Sequence, residues 1–207
     1  GLDIMKHTST QGLLIVISAP SGAGKTTICK RLLDEFPDLY FSVSCTTRPP
    51  RKGEKDGRDY HFISVKDFKE RIEKSEFVEW EELYGHFYGT LKKEIEDLTG
   101  KGHEVILDID TKGAGNVKLM YPKGVFVFIM PPSVEILIER LKKRGSETDD
   151  VIKMRFDRVM GEVKENERYD YVIFNDILSD SVDIMRSIYI AEKNRRSRLQ
   201  ARINDFY

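Results

Sequence analysis

The chain has 207 residues, in which 34 lysines and arginines stand against 35 aspartates and glutamates for a formal net charge of -1. That length suits one α/β enzyme-sized unit with inserted parts rather than two large independent domains, and the balanced charge leaves no global positive field to attract nucleic acid. Cys29 and Cys45, the two cysteines, have neither CxxC nor zinc spacing, and no stretch approaches the ~20 apolar residues of a membrane span, so a cytoplasmic protein without disulfide, zinc or membrane anchor is expected.

Gly1 to Ile4 precede Met5, and both a natural start at Met5 and a genuine N-terminal arm fit them. The apolar run Leu13 to Ser18 predicts the first strand. It leads into Ala19-Pro20-Ser21-Gly22-Ala23-Gly24-Lys25-Thr26-Thr27 and then a helical pattern over Ile28 to Phe36. Strand, glycine loop and helix in that order form a phosphate-binding loop. Gly22 and Gly24 let backbone N–H groups turn toward phosphate oxygens, and the helix presents the positive end of its dipole to the same anion. Lys25 adds a point charge for the distal phosphates and Thr26 a hydroxyl for a magnesium ion. The usual pattern opens on glycine, whereas this chain has Ala19, which is tolerable only if its φ is negative.

Further strands are predicted at Phe41 to Cys45, Tyr60 to Ser64, Phe77 to Leu83, Glu104 to Ile109, Val125 to Met130 and Tyr171 to Phe174. Val105 to Leu107 and Val125 to Ile129 are continuous apolar runs, as central parallel strands covered on both faces require. Between Phe41 and Thr99 short strands, glycines and aromatics suggest a small α+β insertion. After Pro131-Pro132 a helix is expected over Ser133 to Arg144. Gly145 ends it, and a second helix is expected from Glu147 to about Glu167 with Ser146 as N-cap. That pair carries Arg140, Arg144, Arg155 and Arg158 and suits a mobile lid. One closing helix is expected over Asp180 to Phe206, its Arg195-Arg196-Ser197-Arg198 cluster facing solvent.

The insertion opens with Ser44-Cys45-Thr46-Thr47-Arg48-Pro49-Pro50-Arg51-Lys52-Gly53-Glu54, followed by Gly57 and Tyr60. Two arginines three apart, stiffened by prolines, present preorganised forks for a phosphate dianion. A solvated basic loop is the alternative on composition alone. The segment resembles the nucleotide-monophosphate site of guanylate kinases, whose pattern S-x-T-T-R-x-P-R-x-G-E and then G-x-x-Y is matched by Ser44, Thr46, Thr47, Arg48, Pro50, Arg51, Gly53, Glu54, Gly57 and Tyr60. Glu79-Trp80, Tyr88-Gly89-Thr90 and Asp108-Ile109-Asp110 stand where that family has its remaining site residues. The likeness runs from about residue 13 to the final helix.

The resemblance implies a kinase that transfers the γ-phosphoryl of ATP, with Mg²⁺, to GMP and also dGMP. Its implied fold is a P-loop NTPase-type parallel sheet (1–43, 100–137 and 170–207) with an inserted α+β GMP-binding subdomain (44–99) and a helical lid (138–169). It places Glu79 on the guanine donors, with Ser44 and Thr90 near O6 and Asp110 in support. Adenine lacks both donors and would strand a desolvated carboxylate, at ~1.5–3 kcal/mol for each hydrogen bond to a charge. Arg48, Arg51, Tyr60 and Tyr88 fall to the acceptor phosphate, and Ser21, Gly22, Ala23, Gly24, Lys25, Thr26 and Thr27 to ATP, with Asn175 near its adenine. Asp108 would hold water on the magnesium ion. Asp110 could instead cap the next helix, and Asn175 could be a turn residue. Lys25, Arg48, Arg140, Arg144 and Arg155 would carry catalysis by charge. The competing class is a guanylate-kinase-like module that binds proteins without catalysis. ATP and GMP are the expected partners.

Overall fold

The computed structural model of the chain describes residues 12–20, 23–83, 85–143 and 149–207. Strand β1 (Leu14–Ser18) is wholly buried, and helix α1 (Lys25–Glu35) turns Ile28, Cys29 and Leu32 inward. Together with β2 (Leu39–Phe41), β7 (Glu104–Asp108), β8 (Val125–Met130) and β9 (Tyr171–Phe174), β1 builds a five-stranded sheet in the order β2-β7-β1-β8-β9. Every pairing in it is parallel. Its central strands are apolar on both sides because both sides are covered. Ile15, Ile17, Val127 and Ile129 pack with α1 and α7 (Leu178–Lys193), whereas Leu14, Val16, Leu107 and Phe126 pack with α3 (Lys92–Gly100) and α4 (Thr111–Met120). Ile95 of α3 lies in this second core cluster, as does Val78 from the inserted part.

The inserted part is a four-stranded sheet in the order β4-β3-β6-β5, made of β3 (Cys45–Thr46), β4 (His61–Phe62), β5 (Phe77–Leu83) and β6 (His86–Leu91). Helix α2 (Val65–Glu73), N-capped by Ser64, closes it. Phe68 stacks between Phe77 and Phe87 at centroid distances of 4.4 and 5.3 Å, over buried Cys45. The strand expected over Phe41 to Cys45 is therefore two strands in two sheets. The chain changes sheets at 42–44: Ser42 N–H donates to Ile106 O in the parallel sheet, and Cys45 already pairs with Gly89 in the other. Strand β6 is absent from the sequence reading, which took Tyr88-Gly89-Thr90 as a site motif only.

Helices α5 (Val134–Lys143) and α6 (Asp149–Lys164) share a small core of Leu137 and Val159 with Phe156 and Val163. A 3-10 turn over Glu165–Arg168 follows α6; the expected Ser146 cap lies outside the described residues. The closing helix is not continuous. It stops at Lys193 and resumes as α8 (Gln200–Asn204). Arg195, Arg196 and Ser197 are exposed, as expected, and Arg195 also meets both oxygens of Glu192, itself 3% exposed, at 2.8 Å. Arg198, beside it, donates to Lys123 O at 2.9 Å. Among the described residues no helix is long and apolar enough to cross a membrane.

Candidate active site

The site grows from the ends of two neighbouring parallel strands. Register pairs Ile17 with Asp108, so the glycine loop leaves β1 directly beside the carboxylate that ends β7. Lys25, the first residue of α1, forms an ion pair with Asp108 and donates to Ile109 O at 3.3 Å. Gly24 precedes it at φ 88°, ψ 15°, a left-handed conformation open to glycine at no steric cost. A Cβ there would also stand 2.4 Å from Asn175 Nδ2. Ala19 is not strained, because the one non-glycine residue with positive φ among those described is Ser75. Thr26 and Thr27 are exposed on the first turn of α1, while Ser21 and Gly22 lie outside the described residues.

Asn175 is buried behind this loop. Its Nδ2 donates to Ala23 O at 2.6 Å and its Oδ1 accepts from Ser181 Oγ at 2.9 Å. The side chain is thus committed to the loop's own backbone, a role beyond both the adenine contact and the turn weighed from the sequence.

On the opposite wall, register sets Glu79 against Thr90 and Glu81 against Tyr88. Thr90 Oγ1 donates to Glu79 Oε1 at 2.7 Å and lies 3.5 Å from Ser44 Oγ. The Ser44 backbone is fixed because His61 N–H donates to Ser44 O, and the adjoining Val43 N–H donates to Glu94 Oε1 at 2.7 Å. Burial, then the carboxylates of Asp110 and Glu81, push the Glu79 carboxyl up to about 7 against the pull of Thr90. Asp110 caps α4, its Oδ1 accepting from Gly113 N–H at 2.6 Å. The cap expected as an alternative therefore exists, and Asp110 lines the cavity as well.

Arg48 is gripped by Glu54, with Nη1 and Nη2 each 2.9 Å from a carboxylate oxygen, and lies over the Tyr60 ring at 5.4 Å. Glu54 also accepts from Arg51 N–H at 2.6 Å. The pairing lowers the Glu54 carboxyl and raises the Arg48 guanidinium further. Glu54 thereby shapes the whole 48–54 turn, a function that sequence reading matched as a motif position without assigning.

Lys25, Ser44, Tyr60, Glu79, Glu81, Tyr88, Asp108 and Asp110 line one cavity of about 330 Å³. Glu81 is the addition: the two-residue period of β5 places it on the Glu79 face, a signal present in the sequence. A larger cavity of about 900 Å³, bordered by Tyr40, Val43, Lys74 and Glu94, contains neither the glycine loop nor the acidic strand ends. Arg155 is half-buried on α6, whereas the Arg140 side chain and Arg144 lie outside the described residues. No cluster of three His, Cys, Asp or Glu suited to a metal exists among the described residues. A carboxylate at Asp108 and a hydroxyl at Thr26, exposed next to the Lys25 that pairs with Asp108, would suit an ion that keeps its waters and takes further ligands from phosphates, as Mg²⁺ does.

The guanylate kinase family profile matches residues 11–192. The guanylate kinase of Geobacter metallireducens is 49% identical over 189 residues, covering 91% of this chain and 93% of that protein. That of Carboxydothermus hydrogenoformans is 45% identical, covering 93% and 95%. Among solved structures, the guanylate kinase from Anaplasma phagocytophilum superposes with a TM-score of 0.72 at 33% identity, covering 94% of this chain and 96% of that one.

Proposed function

The chain belongs to the guanylate kinase family, and we propose that it transfers the γ-phosphoryl group of ATP to GMP, giving ADP and GDP, in the cavity between Lys25 and Glu79. The observation that carries this reading is the shared cavity. The donor-loop residues Lys25 and Asp108 border the same space as Ser44, Tyr60, Glu79 and Tyr88. The curated relatives bear the enzyme's name, which sets aside the non-catalytic module.

No protein nucleophile is required. A phosphate monoester has its second ionisation near pH ~6, so the attacking oxygen of GMP is already deprotonated at neutral pH. The chain's contribution is placement and charge. Glu79 accepts the guanine donors, with Ser44 and Thr90 beside O6 and Asp110 in support. Arg48, held in position by Glu54, clamps the acceptor phosphate with Arg51, Tyr60 and Tyr88. Lys25 moves from Asp108 to the triphosphate, and residues 21–27 wrap it. Mg²⁺ neutralises charge on the donor phosphates when bound, and Thr26 together with water on Asp108 would hold it. Arg140 of α5, Arg155 of α6 and Arg144, between them in the sequence, would complete the site as α5 and α6 close as a lid over the parallel-sheet core and the four-stranded acceptor subdomain and exclude water.

A coupled ADP-release assay with ATP and Mg²⁺ against GMP, AMP, CMP and UMP tests the reading. GMP turnover with little or none for the others is expected, and preference for AMP overturns it. Lys25→Ala should lower kcat at least a hundredfold, as removal of a charge aimed at the transition state does. A kcat within threefold of the wild type would remove Lys25 from the chemistry.

A further inference from the structure

The inner face of β5 carries Glu79, Glu81 and Leu83 into the acceptor cavity, while Trp80 and Glu82 are exposed on the outer face. Cross-strand pairing gives each inner residue a level. Glu79 is level with Thr90, on the base, and Glu81 with Tyr88, on the phosphate. The step from Glu79 to Glu81, about 7 Å along a strand, therefore runs from base toward phosphate. The ribose of a nucleoside monophosphate lies between those two.

A second direction meets the first. Glu81 and Asp110 border the same cavity, and Asp110, near enough for its charge to raise the Glu81 carboxyl, supports the guanine donors in the proposed reading. In a purine ribonucleotide the 2-amino group, ring N3 and the ribose 2′-hydroxyl share one edge. A carboxyl adjoining the group that serves the amine consequently adjoins the 2′-hydroxyl too. Burial and Asp110 raise the Glu81 carboxyl, with Arg158 of α6 and Lys112 of α4 opposing. A hydrogen-bond donor supplied by the ligand would relieve that position.

We propose that Glu81 accepts a hydrogen bond from the ribose 2′-hydroxyl of the acceptor, so that this enzyme takes dGMP less readily than GMP. The inference rests on the cavity being the GMP site. One hydrogen bond to a partly exposed carboxylate corresponds to about tenfold in kcat/KM.

The experiment compares kcat/KM for GMP, dGMP and 2′-fluoro-2′-deoxy-GMP in the wild type, Glu81→Ala and Glu81→Gln. The fluoro analogue fills the 2′ position without donating, so the wild type should treat it like dGMP. Glu81→Ala should bring the GMP-to-dGMP ratio close to one while keeping GMP preferred over AMP, and Glu81→Gln, which still offers an oxygen acceptor, should retain part of the preference. Equal use of GMP and the fluoro analogue by the wild type overturns the proposal without recourse to any variant. So does an unchanged GMP-to-dGMP ratio in Glu81→Ala. Absence of GMP turnover in the wild type is a different result, which removes the acceptor reading and this inference with it.

Discussion

In the proposed reading Glu79 combines two demands that oppose each other, a half-buried position and a charge for guanine to meet. Its carboxyl, raised from 4.5 to about 7 chiefly by burial, holds a proton in the free enzyme over a range where the unfolded chain has lost it. The associated stability is fully present below about pH 4.5 and disappears as pH rises through about 7. If Glu79 meets the guanine donors as proposed, GMP binding has the opposite sign, since those donors need the ionised form. KM for GMP should therefore rise toward tenfold per unit as pH falls below about 7, with proton release on binding measurable by calorimetry in buffers of different ionisation enthalpy. The phosphate of GMP titrates near ~6 as well, so Glu79→Gln is the control. It should lose about a hundredfold in kcat/KM and keep only the phosphate's part of the pH profile; an unaltered profile would mean that Glu79 does not face the base. Gly113 supports the same carboxylate by being small. A Cβ there would lie 3.0 Å from Glu79 Oε2 and from Asp110 Oδ1, close enough to push both side chains. Because alanine favours a helix over glycine by ~0.5–1 kcal/mol, Gly113→Ala should leave Tm unchanged or higher while raising KM for GMP severalfold. A fall in Tm with an unchanged KM would count against a positioning role.

The elements differ in how plainly the sequence announced them. Phe77–Leu83, Val125–Met130 and Tyr171–Phe174 fall at the residues marked from the sequence, the last two as short apolar runs rich in β-branched and aromatic residues. His86–Leu91 escaped because Tyr88 and Thr90, paired with Glu81 and Glu79, stand where apolar side chains would mark a core strand. The division at residues 42–44 escaped because it depends on partners far along the chain, Ile106 on one side and the Glu94 carboxylate on the other. The break after Lys193, where buried Glu192 pairs with Arg195, is likewise unmarked by any local pattern. At the site, the glycine loop, the arginine turn and Glu79 were legible as motifs, whereas Glu81 and the brace between Asn175 and Ala23 required the fold. That brace is open to test. Asn175→Ala leaves Ala23 O without its partner, while Ser181 Oγ keeps Ile177 O at 3.2 Å, a cost of ~1–3 kcal/mol imposed on the donor loop. ATP affinity, measured by calorimetry, should fall about tenfold or more while that for GMP holds. Equal losses for both ligands would indicate general destabilisation instead.

Across the whole molecule the two halves of the proposed acceptor site are anchored differently. Val78, 7% exposed, packs into the core cluster beneath the parallel sheet, so its neighbour Glu79 is fixed on the core beside α4. Arg48 and Arg51 depend on Glu54 and on the small sheet around Phe68. That sheet's apolar centre is confined to Cys45, Phe68 and Phe77 with Ile63, Ile72, Phe87 and Leu91 around them. So few buried side chains make it the unit that opens at lower free energy than the parallel-sheet core. Phe68 is 0% exposed and stacks on two rings, and its truncation to alanine removes ~3–5 kcal/mol from that unit. Hydrogen exchange of Phe68→Ala should show lost protection across residues 45–91 with β1, β7 and β8 still protected. GMP binding should fail while ATP binding survives, because the donor loop and Asp108 belong to the other core. Protection lost together over both sheets would mean instead that Val78 and the 42–44 crossing couple them into one cooperative unit, in which case ATP binding would fail at the same denaturant concentration as GMP binding.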